Sequence, residues 1–273
     1  MANLLKVDFK RVLKDKLFLI MCILAGVFGL ITPLLTGGIS LLVGEEGSSA
    51  VAMLGLAATA QDNFFQAMMF GSDMGLIAPI LLAIILCKDF GSGTVRNKLI
   101  GGYSRTQIFF SMYLVCTVVL FGVVLLTGLL SMGVSLFFFP FSGEGQTVGS
   151  FFGSLGLEVL VYLAICAMLS WLCALRKNVG IVIVLYAALT IGLSLITMIL
   201  SGVIMLLENL GGYDTLLMVL RAIQTVNICD ISMSIGGTGY ETKELLGYII
   251  VPLAETGLLL GWSVLKFKKR DLK

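Results

Sequence analysis

The sequence predicts an all-α membrane protein with six transmembrane helices, and three observations carry that expectation. Charged residues make up only 12% of the 273-residue chain, about half the share of a soluble domain. The mean hydropathy is +1.06, so most of the chain needs a solvent that does not demand charge. Six apolar stretches are near or above the roughly 20 residues with which a helix crosses a hydrocarbon core of about 30 Å. With only four prolines and no polar tract of domain size, residues 1–273 read as a single transmembrane domain.

The stretches fall at about residues 17–43, 64–87, 107–141, 151–175, 179–207 and 247–265. The third is too long for one untilted crossing. It ends in "LFFFPF", which predicts a kink or an interfacial aromatic cluster at Pro140. Ahead of the first stretch, Leu5, Phe9, Val12 and Leu13 share one helical face while Lys6, Lys10, Arg11 and Lys14 line the others. That pattern predicts an amphipathic interfacial helix; the plainer alternative is a disordered basic orientation signal. A cleaved signal peptide is disfavoured. Residues 50–52 read "AVA", but 27 apolar residues far exceed the roughly 7 to 15 of a secretory signal. Residues 208–246 are too polar to span, yet hold "LLMVLRAI" and "ICDISM", so short helices at the outer leaflet are expected there.

Orientation follows from the cations, because basic loops resist translocation. Sixteen of the eighteen lysines and arginines lie before stretch one, between two and three, between four and five, or after six. Only Arg221 and Lys243 fall on the other side. Both termini and residues 88–106 are therefore expected in the cytoplasm.

Several chemistries are excluded. The chain has no histidine, so Ser-His and Cys-His nucleophiles and His-bearing zinc or haem sites cannot form. Five of six cysteines sit in or at the ends of apolar stretches, and Cys229 stands apart, which provides no disulfide framework. "GYD" at residues 212–214 lacks the second aspartate motif of an intramembrane protease. No P-loop is present, so a nucleotide would have to be bound by another chain.

The passage "KDFGSGTVRNKLIGGYSRTQIFF", residues 88–110, stands out as polar and basic. Ser92 or Thr94 can cap a short helix over "VRNKLI" that Gly101 and Gly102 stop, and Ser104 with Gln107 forms a capping box for the next stretch. Val95, Leu99 and Ile100 are expected to seat in a partner's groove while Arg96, Lys98 and Arg105 meet acidic groups or lipid phosphates. An ordinary basic turn that only enforces topology is the alternative. This passage resembles the coupling loop of type-2 ABC transporter permeases. Asp89 matches the family's acidic residue, Gly93, Thr94 and Arg96 its Gly-Thr-x-Arg core, Leu99 the following apolar position, and Ser104 with Arg105 the later pair. The ending "GWSVLKFKKRDLK" is similar to the family's last span and basic tail. Asp89 stands where glutamate is usual, and Tyr103 where proline often precedes the Ser-Arg.

The resemblance implies a permease subunit in a bacterial cytoplasmic membrane. It would form the substrate path of an exporter similar to those giving self-protection against bacitracin or lantibiotics. Its implied partners are ABC ATPase subunits, a second identical or related permease, and membrane lipid, with no nucleic acid. ATP and Mg²⁺ would be bound by the ATPase, so this chain would carry no cofactor and no enzyme activity. The competing expectation is a channel or regulatory scaffold that works without an ATPase.

A path needs polar groups in the spans, which are costly in lipid. Asp73, Glu158 and Glu255 lie at similar depths below the outer ends of stretches two, four and six, about 10 to 14 Å at helical rise. They are candidates for an acidic vestibule toward a cationic substrate, or for pairing with Arg221. The alternative is that each is hydrogen-bonded to a neighbouring helix and serves packing alone.

Overall fold

The computed structural model describes residues 1–43, 59–71, 73–91, 94–143, 147–175, 178–235 and 242–269, which are helical with no strands. In chain order the helices are α1 (Ala2–Leu13), α2 (Lys16–Val43), α3 (Ala60–Met68), α4 (Asp73–Gly91), α5 (Thr94–Ile100), α6 (Arg105–Ser135), α7 (Val148–Leu175), α8 (Val179–Leu210), α9 (Asp214–Thr225), α10 (Ile228–Ser234) and α11 (Thr242–Lys269). Among the described residues, six spans are long and apolar enough to cross a membrane: α2, α3 with α4, α6, α7, α8 and α11. The chain is a membrane-spanning protein.

Burial sorts the spans into a centre and a rim. The α3–α4 span, α6 and α7 are mostly buried, whereas α2, α8 and α11 leave most of their apolar side chains outward. α2 and α3 pack on α6, α11 on α7, and α8 on α4. Leu82, Ile108, Leu120, Tyr162 and Ile165 are among the fully buried side chains at the centre.

The second apolar stretch is not one continuous helix. It starts earlier than its apolar run, at Ala60, and breaks between Met68 and Asp73. Gly71 at φ 90° and Asp73 at φ 28° place this turn in a region that disfavours a side chain. Gly75 is needed next to the turn, since a Cβ there would collide with the Met69 carbonyl oxygen. The freed backbone groups find side-chain partners: Tyr162 donates to the Met68 carbonyl at 2.6 Å, and the Phe70 N–H donates to Ser232 Oγ at 2.8 Å. Unpaired backbone groups inside a membrane cost several kcal/mol each, so these bonds permit the break.

The third stretch is also shorter than its apolar run. α6 ends at Ser135, and the phenylalanines that follow form turns instead of a kinked helix. The carbonyls of Pro140 and Phe141 accept from Ala60 and Gln61 N–H at 2.9 and 3.0 Å. The segment after α6 thus supplies the acceptors that the first turn of α3 lacks, and the Thr59 hydroxyl caps the Asp62 N–H at 3.0 Å.

Candidate functional site

Two polar groupings stand out in the bundle, one at the end carrying the basic loop and one among the spans.

At the basic end, α5 is a seven-residue helix between two spans. Its end is set by glycine, as the sequence predicts. Gly101 N–H donates to the Asn97 carbonyl and Tyr103 N–H to that of Lys98, with Gly102 at φ 86°. The capping box follows directly: Gln107 N–H donates to Ser104 Oγ at 3.2 Å and Ser104 N–H to Gln107 Oε1 at 3.0 Å.

Beneath α5 lies a group of two acids and two bases. The Lys98 ammonium is 2.6 Å from Asp8 Oδ1, in contact as a charge but out of line for a hydrogen bond. Ser111 donates to the other carboxylate oxygen of Asp8 at 2.8 Å. Arg11 forms a charge-assisted hydrogen bond with Asp89. Asp8 and Asp89 are both buried. These contacts tie α1, α4, α5 and α6 into one unit.

The burial of this group divides the loop residues into an inward and an outward set. Asp89 turns inward to Arg11 instead of outward to a partner. Val95 is buried and Leu99 packs against the core, because a helix this short must use one face to hold on to the bundle. Lys98 is taken by Asp8. The outward face is formed by Arg96, Asn97 and Ile100, the last 76% exposed. Ser104 is exposed but occupied by its cap. Thr94 opens the helix and Arg105 opens α6; Gly93 and Ser92 lie outside the described residues.

Among the spans, Glu158 of α7 is 1% exposed. Ser232 of α10 donates to its Oε1 at 3.2 Å, while Oε2 has no hydrogen-bond partner among the described residues. Glu255 of α11 lines a cavity of about 230 Å³ together with Ile165, Met168, Leu193 and Ile228. α10 therefore lies against both glutamates. It meets α9 at 92°, and amide side chains fix the pair to α8. Asn227 donates to the Leu193 carbonyl at 2.9 Å and to Thr197 Oγ1 at 2.8 Å; Gln224 donates to Ser201 at 3.0 Å and to Asp230 at 2.6 Å.

The other two candidates bond to residues other than the glutamates. Asp73 accepts from Thr32 Oγ1 at 3.4 Å, on the α2 side of the turn. Arg221 does not pair with any of the three membrane-depth acids. It donates to Glu208 at 2.6 Å, and both side chains are exposed. α9 buries little and turns its arginine outward, so α10 is the part of the outer segment that enters the bundle.

Sequence reasoning missed Asp8, Ser232 and Tyr162. Asp8 did leave a signal as an acid in the middle of a basic amphipathic start. Ser232 and Tyr162 left none, since their roles depend on a break whose position is tertiary.

Fold and polar groupings together define a multi-span α-helical membrane protein with a short helix anchored at its basic end. Residues 18–273 match the family described as "Protein of unknown function (DUF2705)", and the chain belongs to that family. No curated protein matches the sequence.

Proposed function

We propose that the chain is the membrane-spanning permease subunit of an ATP-driven exporter, with α5 as the coupling helix that docks a separate ATPase subunit. The observation that carries this reading is the anchoring of α5. A seven-residue helix has almost no intrinsic stability in water, yet here Val95, Lys98 and Leu99 hold it to α1, α4 and α6 while Arg96, Asn97 and Ile100 point away. A short helix fixed to the bundle by one face and bare on the other suits a contact that transmits force. An ordinary basic turn would need no such anchoring.

In this reading the basic end faces the cytoplasm, α1 lies at the inner membrane surface, and the α9–α10 pair caps the path from outside. Glu158 and Glu255 flank α10 and supply negative charge for a small amphipathic cation, with Asp73 a third candidate on the turn between α3 and α4. Arg221 has no part in the path. ATP and Mg²⁺ belong to the ATPase, and a second permease copy or relative completes the exporter.

The test is purification of the chain from its native membranes. The expected result is a co-purifying chain with a P-loop, largely lost in Ile100→Asp and Arg96→Glu, where each substitution puts a charge of the wrong kind into a small contact. Thermal unfolding of the permease itself should be unchanged, because both side chains are exposed. Equal ATPase recovery in both variants overturns the docking face. Absence of any P-loop chain from the wild-type preparation favours the channel or scaffold reading.

A further inference from the structure

α1 presents a charge imbalance. Its acid, Asp8, is buried and neutralised by Lys98, and Arg11 is neutralised by Asp89. Lys6 and Lys10 remain exposed, one turn apart on the same side of the helix. Outside α1, Lys14, Asp15 and Lys16 follow and add one net positive charge.

Beside these lysines lies an open apolar groove of about 420 Å³ between α1 and α6. It is lined by Leu5, Lys6 and Phe9 from α1 and by Leu114, Val115 and Val118 from α6. Lys6 is its sole charged lining residue. Leu114 and Val118 lie roughly 14 to 20 Å along α6 from Arg105 at 1.5 Å per residue. That is acyl-chain depth in a helix long and apolar enough to span. The groove is therefore apolar where hydrocarbon lies, and cationic on the α1 side from which a flexible lysine reaches toward the headgroups.

We infer that this groove is a binding site for an anionic phospholipid, one acyl chain against Leu5, Phe9, Leu114 and Val118 and the phosphate at Lys6 and Lys10. A zwitterionic lipid fills the groove equally well but gains less from the lysines. Charge complementarity thus selects the headgroup and the apolar wall selects a lipid over free phosphate. The bound lipid presses α1 onto α6, the arrangement that keeps Asp8 under Lys98. The inference does not depend on the exporter reading.

Native mass spectrometry of the detergent-purified chain with phosphatidylglycerol and phosphatidylcholine of matched acyl chains tests it. Phosphatidylglycerol should be retained preferentially. The preference should fall roughly fivefold in Lys6→Gln and roughly thirtyfold in the Lys6→Gln/Lys10→Gln pair, the ratios expected of lysines near an anionic surface. Val118→Trp fills the groove from an exposed position and should lower retention of both lipids. Excess inorganic phosphate should not displace the lipid. Equal retention of the two lipids by the wild type overturns the inference, as does an unchanged preference in the lysine variants or displacement by phosphate. If the double lysine variant does not fold, Val118→Trp decides: undiminished retention refutes the groove.

Discussion

Removing Asp8 tests whether the buried charges under α5 hold α1 in place. Asp8→Ala leaves the Lys98 ammonium, 10% exposed as a side chain, without its paired carboxylate and with Asp89, already bonded to Arg11, as the acid still attracting it, and leaves the Ser111 hydroxyl without its acceptor. Breaking one side of a buried pair costs about 3 to 5 kcal/mol. The lower part of that range applies here, because the four-carbon stem of Lys98 lets its head relax toward water. Replacing both charges by apolar groups is close to neutral, so Asp8→Ala/Lys98→Met should recover most of the loss. The coupling energy is then on the order of 2 to 4 kcal/mol. Amide hydrogen exchange reads this directly as local opening of α1. With about 1.4 kcal/mol per factor of ten, Asp8→Ala should speed α1 exchange about 100- to 1000-fold and the double variant far less. Equal exchange in the single and double variants would show that α1 is held by its apolar face alone, and the reasoning about the charges would be wrong.

Glu158→Gln keeps an acceptor for Ser232 and removes a carboxylate whose second oxygen has no partner among the described residues. Its thermal stability should be unchanged or raised by up to about 2 kcal/mol, and in the exporter reading the variant loses stimulation by a cationic substrate; a clear loss of stability would show that the charge is compensated. Tyr162→Phe leaves the Met68 carbonyl unpaired in the core and should cost about 1 to 3 kcal/mol, measured as a lower melting temperature; an unchanged melting temperature counts against the bond. Gly128→Ala places a methyl 2.9 Å from Met68 Cγ and 3.1 Å from the Phe64 ring and should cost about 1 to 3 kcal/mol. Gly133→Ala, with open space at its Cβ, should cost nothing, and similar losses in the two would refute the packing argument.

The amino acids themselves announce most of the architecture. Lipid imposes a long apolar run on every span, so all six were legible, and the loop chemistry of α5 was legible down to its glycine stop and its capping box. What escaped was direction. Val95, Leu99 and Ile100 are equally apolar as letters, and only the packing of α5 on α1 and α6 divides them into two inward residues and one outward. Asp89 has the same history, since an acid beside a basic loop reads as a docking charge until Arg11 is found next to it. The break at Met68 lay in plain view as Gly71, Asp73 and Gly75. Its position within one apolar run made it read as a helix interior. Residues 208–246 announced short helices without saying that α10 is buried and α9 exposed.

The turn between α3 and α4 has a consequence for biogenesis. Its Met68 carbonyl and Phe70 N–H are bonded by residues 94 and 162 positions further along the chain. When the first two spans leave the ribosome, neither Tyr162 nor Ser232 has been made, and the interrupted segment reaches the bilayer with open backbone groups. An insertion machinery that releases each span as it is completed would expose them to hydrocarbon. The second span is thus unfinished until Tyr162 and Ser232 have been made, and a nascent chain truncated before Ser232 should be held by the insertion apparatus or degraded, however hydrophobic its early spans are.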